Sequence, residues 1–122
     1  MEQRFFVNGT LPGLNEYIAA INAHRFKGNK MKQDSQDVIG WAIAQHHIKK
    51  VVSVYIVFNW YEKNKKRDLD NISGYGHKII LDSLVKMGVL PNDGWGNVLG
   101  FEDHFFVDKD RPGVEVIIKE GE

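Results

Sequence analysis

Residues 51–60, Val-Val-Ser-Val-Tyr-Ile-Val-Phe-Asn-Trp, constrain the fold of this chain more than any other stretch. Their β-branched and aromatic side chains fit a pleated surface, so the run reads as a strand and the chain as sheet-containing. The flanking segments fill in the rest. Residues 3–8 read as a short strand that stops at the turn cluster Gly9-Thr10-Leu11-Pro12-Gly13. Residues 14–23 suit a short helix, and the basic residues 24–32 a loop. A longer helix is expected next, capped by Asp34 or Ser35. Val38, Ile39, Trp41, Ala42, Ile43 and Ile48 would form its buried face. Residues 77–87 read as a helix, with Ile79, Ile80, Leu84 and Met87 at helical spacing and Gly88 at the stop. Pro91-Asn92-Asp93-Gly94 is turn chemistry. Residues 98–107 and 113–119 read as two more strands, joined by a turn at Asp108–Gly113. The expected order is β-α-β-α-β-β. This is an α+β fold, a small mixed or antiparallel sheet with helices packed on one face.

A chain of 122 residues fits one domain, 1–122, large enough to bury a core without staples. It has no cysteine, which excludes disulfides and thiolate metal sites. No apolar run approaches the ~18 residues of a membrane span, and Met1-Glu2-Gln3-Arg4 lacks the shape of a signal peptide. A cytoplasmic protein with no membrane partner is expected.

Net charge is zero, but it is unevenly distributed. Residues 23–67 carry ten Lys/Arg against three Asp/Glu; residues 68–122 carry five against eleven. Segregated charge can steer a ligand where total charge cannot. The sign changes at Arg67/Asp68, inside Lys63-Asn64-Lys65-Lys66-Arg67-Asp68-Leu69-Asp70-Asn71. The cations would attract a polyanion, and the carboxylates are hard oxygen ligands. In an extended segment Asp68 and Asp70 would point the same way and converge on one ion, with Leu69 turned into the core. Mg²⁺ keeps several waters and needs only two or three carboxylates plus substrate phosphate. Asp93, in the turn after the 77–87 helix, is the best third candidate. Lys78 is available to neutralise charge in a transition state. A structural alternative stands beside this: Asp-x-Asp-Asn before a helix can be an N-cap with Arg67 as an ion-pair partner, and the basic run a solvated loop.

Arg67-Asp68-Leu69-Asp70-Asn71, then Lys78-Ile79-Ile80-Leu81-Asp82-Ser83-Leu84, then Gly88-Val89-Leu90-Pro91-Asn92-Asp93, resembles the RusA family of Holliday junction resolvases. The likeness is strongest over residues 63–93. Pro12-Gly13-Leu14-Asn15 also looks like that family's loop after the first strand. The resemblance implies a small homodimeric endodeoxyribonuclease, often of phage or prophage origin. It would cut four-way DNA junctions in symmetric strands with Mg²⁺ or Mn²⁺. It assigns the essential aspartates to Asp68, Asp70 and Asp93, and the essential lysine to Lys78. Lys63, Lys65, Lys66, Arg67 and Asn15 would contact DNA, with Asn71 in support. One departure concerns the lysine, which in the family follows the second aspartate by one helical turn; here that place is Gly74. If Ser73-Gly74-Tyr75-Gly76 is a helical insertion, Lys78 keeps its face but moves about 6 Å along the axis. If it is a loop, which the two glycines favour, Lys78 returns to the usual place.

The five histidines suggest no zinc site: His46 and His47 are adjacent, and His24, His77 and His104 are isolated. His77 is the one that could approach the carboxylates. Trp41 and Trp60 are expected in the core, and one of Phe105 and Phe106 buried; Trp95 is either packed over the active-site loop, the favoured reading, or exposed to stack on a base. Two other functions remain open: a non-catalytic junction-binding protein of the same fold, and a related nuclease acting on other branched DNA.

Overall fold

The computed structural model describes residues 1–121 as β1(Glu2–Asn8), α1(Leu14–Ala23), α2(Arg25–Gln45), β2(Val54–Glu62), α3(Leu69–Lys86), β3(Val98–Val107) and β4(Gly113–Glu120). The architecture is α+β: one four-stranded mixed sheet, in the order β1-β4-β2-β3, with three helices. The strand read from residues 51–60 sits inside it. β2 pairs antiparallel with β4 and parallel with β3. A parallel pair needs a long crossover, and α3 supplies it. The turn after β3 therefore carries the chain past the end of β2 to reach β4. Asp108 holds that turn by accepting the backbone N–H groups of Asp110 and Arg111.

Alternate residues of each inner strand are buried on one side: Val54, Ile56, Phe58 and Trp60 of β2, and Val114, Val116 and Ile118 of β4. They join Phe5 and Val7 of β1 and the inner residues of α2 and α3 in one hydrophobic cluster. The helices thus share one face of the sheet. The opposite face carries Phe6, Tyr55, Asn59, Tyr61, His104 and Phe106, all half-buried or exposed. Among the described residues, no helix is long and apolar enough to cross a membrane.

Several expectations need correction. Residues 24–32 are not a loop: α2 begins at Arg25, capped by His24, whose Nδ1 accepts the Phe26 N–H. Lys, Arg, Gln and Met are good helix formers, and charge alone does not make a loop. Asp34 and Ser35 are therefore mid-helix rather than caps. Asp34 pairs with Lys30 one turn back, and Ser35 is buried against Tyr75. Both helices expected before β2 are present, so the element order is β-α-α-β-α-β-β, one helix more than the order β-α-β-α-β-β counted. On α2, Ile39, Ala42 and Ile43 are buried, but Val38 is exposed and Trp41 is 68% exposed, because only one stripe of the helix meets the core. Trp60 is buried as expected.

The largest correction concerns α3. It starts at Leu69, not 77, so Ser73-Gly74-Tyr75-Gly76 is helical. Gly76 is needed for close packing, since a Cβ there would run into the Trp60 ring at Cη2, whereas one on Gly74 would meet Leu14 Cδ2 at 3.1 Å. Gly88 does end the helix, at φ +76°, a conformation that favours glycine.

Candidate metal and nucleic-acid site

The end of β2, the loop 63–67 and the start of α3 form one corner of the molecule. Arg67 braces it. Its Nε and Nη2 donate to the two carboxylate oxygens of Glu62, each at 2.9 Å, and its Nη1 donates to the Leu11 carbonyl at 3.1 Å. A guanidinium held on both edges fixes the geometry of the corner. Its donors are already engaged within the fold, unlike those of its lysine neighbours. Lys63, Lys65 and Lys66 make no ion pair among the described residues. Asn64 turns the loop by accepting the Lys66 N–H at 3.0 Å. A cleft of about 590 Å³ opens beside this loop, lined by Lys65, Asp68 and Leu69 on one side and Phe105 and Phe106 on the other.

Asp68 is the N-cap of α3, extended at φ −70° and ψ 154°, and its side chain caps no backbone N–H. Asp70 is already helical. Both carboxylates are exposed, beside the positive end of the helix dipole. The extended geometry expected for the pair ends at Asp68. Leu69, expected in the core, is 57% exposed. Asn71 ties the corner to α1, its Oδ1 accepting the Asn15 N–H at 2.7 Å. Asn15 thus stands at the same corner, with its side chain exposed.

Asp93 does not come to this corner. α3 has 18 residues, a length of about 27 Å, and Asp93 follows its far end. There the chain lies by the start of β2, where the Val54 N–H bonds the Asn97 carbonyl. No group of three His, Asp or Glu side chains is placed to hold a metal within one chain among the described residues. Lys78 lies eight residues beyond Asp70, about 12 Å along the axis, and its Nζ is 3.5 Å from Asp82. The helical alternative for residues 73–76 is the one realised.

The histidines go elsewhere. His46 bonds the Ala42 carbonyl, and His104 lies 2.6 Å from Glu102 on the open sheet face. That contact holds the Glu102 carboxyl below its ordinary range. His77 points to the sheet, away from Asp68 and Asp70. Its Nε2 donates to Asp103 Oδ1 at 2.7 Å, and Trp60 Nε1 donates to the same oxygen at 2.8 Å. The rings of Phe58 and Phe101 pack against His77. Asp103 was missed by the reading of the sequence. The available signal was alternation: Phe101 and Phe105 point to the helices, so the residue midway between them does too. Trp95 does not pack over the loop: it is 98% exposed between Gly94 and Gly96, the less favoured of its two readings.

Comparison with the models of known protein families and with curated proteins gives no match to this chain.

Proposed function

We propose that this protein is a metal-dependent endodeoxyribonuclease that resolves four-way DNA junctions as a homodimer. The observation that carries the proposal is the corner itself. Three unpaired lysines stand beside two exposed carboxylates, on a scaffold held rigid by the Arg67–Glu62 pair. Lys63, Lys65 and Lys66 would hold the phosphate backbone by charge. Asp68 and Asp70 offer hard oxygen donors that suit Mg²⁺ or Mn²⁺, which keep several waters. Such an ion, when bound, supplies an activated water and stabilises the leaving oxygen. Asp68 and Asp70 orient that centre against the phosphate, and the lysines keep the strand in register. Asn15 and Asn71 hold the start of α1 against the start of α3, so the corner does not open.

A third carboxylate would come from Asp93 of a second copy. A two-fold axis perpendicular to α3 brings the Asp93 end of each chain to the Asp68 end of the other. Two corners per dimer would then face two strands of a junction. The test is nicking of a synthetic four-way junction. Paired nicks are expected with Mg²⁺ or Mn²⁺, and Asp70→Asn should abolish them while binding persists. A wild-type protein inert in both metals, or an active Asp70→Asn variant, overturns the proposal.

One observation favours a second reading, a junction-binding protein that does not cut: within a chain, Asp93 stands far from Asp68 and Lys78 faces Asp82. That protein would show salt-sensitive junction binding and no nicks in any metal.

A further inference from the structure

The face of the sheet opposite the helices carries a row of aromatic rings. Phe6 of β1, Tyr61 of β2 and Phe106 of β3 all point to it. Tyr61 and Phe106 stack, with centroids 5.1 Å apart and planes at 20°. Phe6 continues the row at 6.3 Å from Tyr61. β4 lies between β1 and β2, and it contributes Gly113 at this level. Any Cβ there would come within 2.5 Å of Phe6 Cζ, so only glycine leaves the row continuous. Phe106 is 46% exposed, though an edge strand can as easily carry a polar residue at such a position.

Cations flank both ends of the row. The Arg111 guanidinium lies 4.3 Å over the Phe6 ring. It has no carboxylate partner among the described residues. At the other end, Lys65 lines the same cleft as Phe106. Glu115, opposite Phe6 across β1 and β4, is already taken by Asn59 Nδ2 at 2.9 Å and by Arg4 at 3.6 Å, and Glu62, next to Tyr61, is held by Arg67. Rings bordered by free cations match the chemistry of a strand with splayed bases: π-faces for the bases, positive charge for the phosphates. A four-stranded sheet with one bare, ring-bearing face is a geometry on which unstacked bases can lie.

We propose that the Phe6–Tyr61–Phe106 row is a stacking platform for unpaired nucleobases of single-stranded or frayed DNA. The row itself contains none of the corner's carboxylates, although Phe106 and Asp68 line one cleft beside the 63–66 loop. It therefore rests on the nucleic-acid half of the function proposed above and not on the cutting half. Bases opened at a branch point would stack on the platform while the corner holds the adjacent duplex phosphates.

The probe is a fluorescein-labelled oligodeoxythymidylate, followed by anisotropy with the full chain in EDTA, where no metal-dependent cutting occurs. An abasic oligomer of equal length keeps the phosphates and removes the bases. The thymidylate is expected to bind about tenfold tighter than its abasic counterpart, the scale of one or two stacked bases. Phe106→Ala and Phe106→Leu should each erase most of that difference and leave abasic binding unchanged. Phe106→Leu keeps an apolar side chain at the strand edge and guards against misfolding. Lys65→Ala should weaken both oligomers alike. Equal binding of the two oligomers overturns the proposal, as does undiminished thymidylate binding by a folded Phe106→Leu variant. Binding of neither oligomer also overturns it. Junction nicking is read separately: thymidylate binding without nicking removes only the nuclease, and nicking without base-dependent binding removes only the platform.

Discussion

Tyr75 shows how much one buried hydroxyl constrains this fold. It is 2% exposed, and its oxygen lies 2.9 Å from Ser35 Oγ and 3.2 Å from the Met31 carbonyl, tying α3 to α2. Burial raises its pKa above the ordinary 10.0, more than the Ser35 hydrogen bond lowers it. The folded protein therefore holds the phenol proton to higher pH than the unfolded chain. The resulting stability is present below about pH 10 and is lost as pH rises from there toward the raised value. Tyr75→Phe should cost about 1 kcal/mol at neutral pH and flatten this alkaline loss, measured by urea unfolding across a pH series. Asp103 has a larger effect. Asp103→Ala leaves the Trp60 and His77 N–H groups without their acceptor and should cost roughly 1–3 kcal/mol, while Asp103→Asn retains an acceptor and should cost less. At this scale the sequence was readable where residue type decides the role. Trp60, an indole in a strand, was placed in the core correctly. Trp41 was not, because an apolar residue on a helix does not itself say which stripe meets the sheet.

Among the elements, α3 differs most from what its sequence suggested, and its two glycines test why. In an exposed helix, replacing Gly by Ala gains about 1 kcal/mol from propensity alone. At Gly74 the new methyl would crowd only the terminal Leu14 Cδ2, which can move, and would meet Leu14 Cβ and Cγ at ordinary contact. Gly74→Ala should therefore hold or raise the melting temperature. At Gly76 the methyl would enter the buried Trp60 ring, and overpacking of this kind typically costs 1–3 kcal/mol. Gly76→Ala should lower the melting temperature despite better propensity; a rise there would overturn the packing account. The strands at 3–8, 98–107 and 113–119 were legible because period-two alternation is a local signal. The helix through 69–76 was not, because a glycine that makes room for a neighbouring strand looks the same in sequence as one that breaks a helix. The segment 24–32 failed for the converse reason: its polar residues suggested a loop, but they are good helix formers on an exposed turn of α2.

For the whole molecule, the charge boundary at Arg67/Asp68 marks a physical corner, but the three aspartates that the sequence groups together are split between two ends of α3. Spacing in sequence gave Asp68 and Asp70 as neighbours; it could not show that an unbroken helix carries Asp93 away. If a second copy returns it, Asp70→Asn and Asp93→Asn proteins, each inactive alone, should recover part of the junction-nicking activity when unfolded and refolded together. No recovery in mixed dimers would place all three carboxylates in one chain's service and remove the two-fold arrangement. The sheet order has a separate consequence, for how the protein is made. β4 is the last strand in sequence, yet it lies between β1 and β2 and supplies both with their antiparallel partner. On the ribosome, β1 emerges before the other strands of the sheet and must wait, its edges unpaired, until β4 has been synthesised. Closure of the sheet thus waits for β4 and has high contact order, and a nascent chain stalled before Gly113 should be protease-sensitive and dependent on chaperones.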